Sequence, residues 1–360
     1  MHIFRQLVPA AIALVFCAAH PARADRLMLV AGSGNQGDGA PATEARLHNP
    51  FGVVFDKSGA MYLVELEGGH VHRIDARGVF STIAGTGAKG DAGDGGPAKK
   101  ATFNAMHSLA IAPSGEIFIA DTLNNRVRKI DPRSGLIGPF AGTGKKSYSG
   151  DGGPAIDADC GGVYCVAFSP DAMTLYLVDL DHRRVRAIDM QTGIIRLIAG
   201  NGERGVPLDG AVAREAPLVD PRAVAADGAG NVYVLERGGH ALRVVDSAGK
   251  IRTLAGTGQA GPAEDDVPAL KATLRGPKHL CLDREQNVLI ADTDNHVIRK
   301  YLHKTGNLVR VAGTGKKGNS GVGGPPEKAE FNQPHGVCLD AAGTLFIVDS
   351  WNDRVLKVVQ

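Results

Sequence analysis

Two short patterns recur through this chain in a shared register, and together they dictate what it can fold into. The tetrad Ala-Gly-x-Gly begins at Ala31, Ala84, Ala141, Ala199, Ala255 and Ala312. An acidic residue that closes an apolar run recurs as Glu65, Asp121, Asp179, Glu236, Asp292 and Asp349, at intervals of 56 to 58 residues. Self-similarity at a fixed period marks a chain of stacked units, none of which can bury its own faces alone. The stretch Phe103–Gly144 shows the parts of one unit. Ser108–Ala112 is a short apolar strand and Pro113-Ser114-Gly115 a turn; Glu116–Ala120 alternates toward Asp121. Arg126–Asp131 alternates charged and apolar residues with the period of two expected of a half-buried strand. Ile137–Ala141 then runs into the tetrad, and no segment carries a helical period.

Four antiparallel strands repeated radially make a β-propeller. The expected fold is therefore all-β, with six four-stranded blades over Asp25–Gln360. The last unit supplies only three strands, Gly336–Leu339, Thr344–Val348 and Arg354–Val359, and has no tetrad after them. The orphan tetrad near the other end follows Leu27–Ala31, so this segment is predicted to complete the sixth blade as its outermost strand. Such a closure leaves no unpaired blade edge.

Met1–Ala24 reads as a cleaved secretory signal: Arg5 supplies a basic start, Leu7–Ala19 an apolar core, and Ala22-Arg23-Ala24 a small-x-small cleavage pattern. The remainder holds no long apolar run, so stable membrane insertion is not expected, and the destination is periplasmic or extracellular. Of 40 basic side chains, Arg5 and Arg23 leave with the signal, so basic and acidic groups balance at 38 each. Nucleic-acid binders show a basic excess or stripe; none is present, so nucleic acid is not an expected partner. Cys160, Cys165, Cys281 and Cys338 are too few for a disulfide scaffold. Cys281 and Cys338 hold equivalent places in successive apolar strands and are expected to be buried thiols. Cys160 and Cys165, in CGGVYC, either stay free or close a small loop.

The units share the pattern P-x-G-V-x-x-D-x-x-G-x-L-Y-I-A-D-x-x-N-x-R-I-R-K-I-D, which resembles the NHL repeat. Pro334-His335-Gly336-Val337 and Asp349–Arg354 match it well. Two units depart from it, with Glu65 and Glu236 in place of Asp and Gly-Gly-His in place of the Asn-containing turn. The resemblance implies a propeller with a ligand- or protein-binding face, without implying one activity.

Several features invite a chemical reading. The Gly-rich loops Lys89–Thr102 and Lys145–Ala158 lack the GxxxxGK[ST] of a phosphate loop and the acidic spacing of a calcium loop, and read as packed structural connections. Most of the strand-ending acids read as structural too, accepting N–H groups of their own turns with Arg126 or its counterparts as partners. Glu65 and Glu236 lie three units apart, beside His70 and His240, and are candidates to reach toward the axis. The sharpest signal is the residue between the proline and glycine positions that open each innermost strand: Phe51, His107, Tyr164, Arg222, Lys278 and His335. In a propeller these ring the mouth of the channel, with Phe51/Arg222, His107/Lys278 and Tyr164/His335 on opposite sides. His279 stands next to Lys278 where glycine is usual. A structural ring would repeat small or apolar residues; a cationic, polar mouth on a neutral protein is a candidate site.

Two readings follow. In the first, Arg222 and Lys278 grip an anionic group of a small ligand or protein partner, while Phe51 and Tyr164 stack on its body. In the second, His107 and His335, with or without His279, hold a divalent metal, zinc or calcium, for a lyase or hydrolase. That arrangement is similar to peptidylglycine-amidating lyase, a six-bladed propeller with channel histidines on zinc. A calcium site of the propeller-lactonase kind finds no ligands here beyond a loose Glu65 or Glu236, and no G-x-S-x-G elbow supports a serine hydrolase.

Overall fold

A computed structural model describes residues 25–359, so the segment read as a signal lies outside the described residues. Six antiparallel sheets follow one another around an axis, each running from an innermost to an outermost strand. Blade 1 takes Pro50–Phe55, Met61–Glu65, Val71–Ile74 and Phe80–Ala84; blade 2 takes Met106–Ile111, Ile117–Asp121, Arg126–Asp131 and Leu136–Ala141. Blades 3, 4 and 5 begin at Val163, Pro221 and His279 and end at Ala199, Ala255 and Ala312. Blade 6 combines Gly336–Leu339, Leu345–Asp349 and Arg354–Val359 with Arg26–Gly32 from the opposite end of the chain. The propeller and its closure are as the repeat predicts. Leu27 pairs with Val358, Leu29 with Leu356 and Ala31 with Val355, and Leu27 and Ala31 are fully buried.

Blades 4 and 5 carry a fifth strand that the repeat does not announce, Ala211–Val212 and Val267–Pro268. Every Gly-rich loop lays its proline-position residue against the outermost strand of the blade that follows. In blades 1 to 3 that residue is Pro41, Pro97 or Pro154, making an isolated bridge to Val79, Leu136 or Ile194. In blades 4 and 5 the contact is one residue longer: Ala211 and Val212 pair with Ile251 and Lys250, and Val267 and Pro268 with Leu308 and Asn307. The loops thus cover the blade edges. Beside blade 6, Gly323 and Gly324 bond both backbone groups of Leu27.

The strand-ending acids carry out a structural task, but their own turns bond them through side chains such as Asn124, Asn295 and Asn352, not through backbone N–H groups. Each accepts the N–H of a residue 17 or 18 positions earlier, at 2.5–3.0 Å: His48, Asn104, Gly161, Val219, Arg275 and Asn332 for the six blades in order. The acid therefore anchors the loop that leads into its own blade. Arg128, Arg186, Arg243 and Arg299 are buried beside these acids, and all but Arg243 also hold the loops. Arg128, for example, donates from Nε to Asp94 at 2.8 Å and from its terminal nitrogens to the carbonyls of Thr102 and Ala92.

The four cysteines among the described residues are free. Cys160 lies beside the Arg186 guanidinium at 3.4 Å, whereas the Cys165 thiol lies between Ser108 and the Val224 carbonyl, so the loop closure left open above is not made. Cys281 and Cys338 are half-buried rather than buried. They line a channel cavity of 370 Å³ along the innermost strands, together with Cys165, Ser108 and His279. Among the described residues no helix is long and apolar enough to cross a membrane.

Candidate functional site

The mouth of the channel is built by a repeated irregularity. In blades 1 to 4 the innermost strand slips register against its neighbour between Pro50 and Val53, Met106 and Ser108, Val163 and Val166, and Pro221 and Ala223. Bulges re-aim side chains at sheet ends, and Phe51, His107, Tyr164 and Arg222 all lie in these slips. Lys278 and His335 lie just before their strands, each donating its backbone N–H to the adjoining strand at Ala291 and Val348. The blades meet closely here: a Cβ on Gly336 would collide with the carbonyl of Phe51.

The six mouth residues come together, but as a linked arc. Phe51 stacks on His335 with ring centroids 4.0 Å apart and meets His107 edge-on at 5.0 Å. His107 lies 4.2 Å from Tyr164, whose ring carries the Arg222 guanidinium carbon at 4.6 Å. At the other end Lys278 Nζ lies 2.6 Å from His335 Nε2. Phe51, Tyr164 and His335 are almost wholly buried. The stacking expected of Phe51 and Tyr164 is thus taken up inside the arc, because six bulky side chains around one axis pack onto each other before they can offer open faces.

The arc keeps its histidines neutral. Nδ1 of His107 faces the Ala105 carbonyl at 2.9 Å and Nδ1 of His335 the Gln333 carbonyl at 2.8 Å. Burial, with Arg222 and Lys278 adding to it, takes His107 down to about 3. Burial and then Lys278 hold His335 well below its ordinary range. Burial lowers Lys278 itself to about 8, opposed by Asp294 and assisted by Arg237 and Arg222. The histidines do not fit a zinc site, since Nε2 of His335 already accepts from the Lys278 ammonium and a metal ion would sit against two further cations. His279 is not part of the mouth: it opens the blade 5 strand, accepts weakly from the Val337 N–H at 3.5 Å and lines the channel cavity.

Arg237, which the sequence reading passed over, belongs to the site. It follows Glu236, where the other blades place Leu66, Thr122, Leu180, Thr293 and Ser350. Its charge bears on Tyr164, Lys278 and His335. Its Nε is shut off from solvent with no hydrogen-bond partner, and it forms no ion pair among the described residues. Arg222 pairs with Asp220 at 3.1 Å. A groove of 300 Å³ runs off Arg222 past Asp220, Asp181, Arg183 and Arg204. Glu65 and Glu236 do not reach the axis. Glu65 is held by the His48 N–H and His70, with His72 Nε2 alongside at 3.3 Å, and Glu236 by the Val219 N–H and Arg243.

The profile of the NHL repeat matches residues 331–358 and that of the Teneurin NHL domain residues 28–92. Both fall on blade sequence, and the relatives agree with them. The chain carries NHL-repeat sequence on a six-bladed propeller. NHL repeat-containing protein 2 of Gallus gallus is 26% identical over 343 residues, covering 86% of this chain and 46% of its own. Protein SUPPRESSOR OF QUENCHING 1, chloroplastic, of Arabidopsis thaliana is 28% identical over 289 residues, covering 76% and 27%. The chain thus spans less than half the length of these curated relatives. Among solved structures, an auxiliary nutrient binding protein from Bacteroides thetaiotaomicron superposes with a TM-score of 0.68 at 16% identity, over 93% of this chain and 76% of that chain.

Proposed function

We propose that this NHL propeller is an exported binding protein whose channel mouth captures a small anionic ligand. The observation that carries the reading is the convergence of Arg222, Arg237 and Lys278 beside a neutral, packed arc. Of the three, Arg237 makes no ion pair among the described residues, and its buried Nε lacks a partner there. A buried guanidinium donor without an acceptor is costly, and a carboxylate or phosphate would satisfy it through paired hydrogen bonds. The two neutral histidines leave this positive charge undiluted without adding to it. Asp220 and Asp294 offset part of the charge, which favours a ligand of modest charge over a polyanion. Export rests on the reading of Met1–Ala24 as a secretory signal, and a nutrient-binding neighbour of the same fold is consistent with ligand capture.

Calorimetric titration with citrate, inorganic phosphate and a sugar phosphate tests the reading. At least one should bind saturably and more weakly as salt is raised. Arg237→Ala should weaken it by about tenfold or more, the worth of one charged hydrogen bond, with melting unchanged. Failure of all three to bind, or equal binding by the variant, refutes it.

A further inference from the structure

Away from the mouth, blade 1 holds a cluster whose logic emerges from comparison with its sister blades. Seven positions after the strand-ending acid, blades 2 to 5 place Arg128, Arg186, Arg243 and Arg299, all buried within reach of the acid. Five positions after it, blades 2, 3 and 6 place Arg126, Arg184 and Arg354 directly across the strand pair. Blade 1 has histidine at both places, His70 and His72. Its acid, Glu65, is buried with no arginine among its ion pairs.

The protonation pattern sharpens the contrast. The Thr82 hydroxyl donates to Asp38 at 2.8 Å, so its oxygen must accept from Nδ1–H of His72 at 3.1 Å. A neutral His72 then presents a bare Nε2, which lies 3.3 Å from Glu65 Oε1 without an aligned hydrogen bond. Two lone pairs face each other in a buried space. Nδ1 of His70 lies 3.2 Å from the other carboxylate oxygen, and the three donors fall within 4.8 Å of one another. Blade 4 provides the internal control. There Thr253 also donates to Asp209, but Arg243 bridges Thr253 and Glu236, and His240 turns away to accept from the Gly276 N–H.

We infer that Glu65, His70 and His72 form a binding site for a divalent transition-metal ion of the zinc class. Donor atoms around tetrahedral zinc lie ~3.3–3.5 Å apart, close to the separations found here before any ion pulls them in. The Asp38–Thr82–His72 chain is the outer support that fixes a metal-binding imidazole in one tautomer. His72 is buried while the His70 side chain is 29% exposed, so His70 marks the route from solvent. Gly68 and Gly87 keep the pocket open: a Cβ on Gly68 would collide with the Glu65 carboxylate, and one on Gly87 would crowd His70.

The test uses untagged protein loaded with zinc or cobalt, then dialysed, with metal content measured by mass spectrometry and cobalt coordination by visible absorption. Wild type should retain stoichiometric metal and show the intense bands of a tetrahedral cobalt site. His72→Arg recreates the arrangement of blade 4, and should fold at least as stably while retaining none. Thr82→Ala should keep the ligands but weaken retention by about tenfold or more. If His72→Arg fails to fold, His70→Ala serves instead. Metal content that is nil in wild type, or the same in wild type and variant, overturns the inference and leaves protons as the neutralising ions.

Discussion

Lys278 Nζ sits 2.6 Å from Nε2 of His335, and the histidine is the acceptor. His335 donates from Nδ1 to the Gln333 carbonyl, so the ring passes polarity from a backbone dipole to the ammonium. The ammonium is thereby aimed along the mouth while it remains costly to bury.

That cost makes the first prediction. Lys278 is lowered to about 8 from its ordinary 10.5, so the folded state binds this proton more weakly than the unfolded chain. Between roughly pH 8 and 10.5 the unfolded state holds more protons, and stability contributed at this position rises with pH through that window. Anion capture should run the opposite way, falling as pH passes 8. Lys278→Met should raise stability at pH 7 by about 1–2 kcal/mol, allowing for solvent screening of a partly exposed group, and should abolish the pH dependence of capture. Calorimetric melting and titration across pH 6–10 check both signs.

A second prediction concerns Phe51, held between His107 and His335. Phe51→Ala removes a buried ring and should cost about 3–5 kcal/mol. It should also unlock the top of the channel, so that Cys165, buried in wild type, reacts with a small thiol reagent. Peptide mapping after timed labelling would show no change at Cys165 if the arc stays closed without Phe51.

Removing the Arg128 side chain is expected to be severe. It is fully buried and satisfies Asp94 and two loop carbonyls while neutralising Asp121. Breaking a buried pair by losing one partner costs about 3–5 kcal/mol, so Arg128→Ala should lower the unfolding free energy by that order in denaturant titration. Arg77→Ala, whose partner Asp75 lies at the surface, should change it by less than about 1 kcal/mol.

Leu27 tests the closure of the ring. It is completely buried in the strand from the other end of the chain, and Leu27→Ala should cost about 2–5 kcal/mol. Deleting residues 25–32 should expose the edge of Arg354–Val359 and promote association, which light scattering would detect. Unchanged melting in the deletion would mean that blade 6 stands on three strands.

The blades and the six mouth positions were legible because period and register are properties of spacing alone. The way those six residues pack was not legible, since it depends on bulges that alternation does not encode. Arg237 was missed because it lies in a turn, outside the strand positions that the repeat aligns. The two Gly-Gly-His turns looked alike, yet His70 lies five residues after its acid and His240 only four. That one-residue difference puts His70 just ahead of the strand Val71–Ile74, facing Glu65. It puts His240 in the turn, at the left-handed position with φ 46°, bonded to the next blade. A period-two structure converts a single step of spacing into the opposite face, so likeness of motif was no guide to likeness of role.

The pairing of Arg26–Gly32 with Arg354–Val359 also sets an order of events in the cell. The ribosome makes the first of these strands long before its partner. At a synthesis rate of about 5–20 residues per second the early strand waits roughly 15–65 s for its mate. Blades 1 to 5 can fold in that interval, while an apolar ribbon containing Leu27 and Leu29 stays unclaimed. Until that partner arrives, the nascent chain carries an unpaired apolar strand whose safest course is to be held apart by whatever receives it.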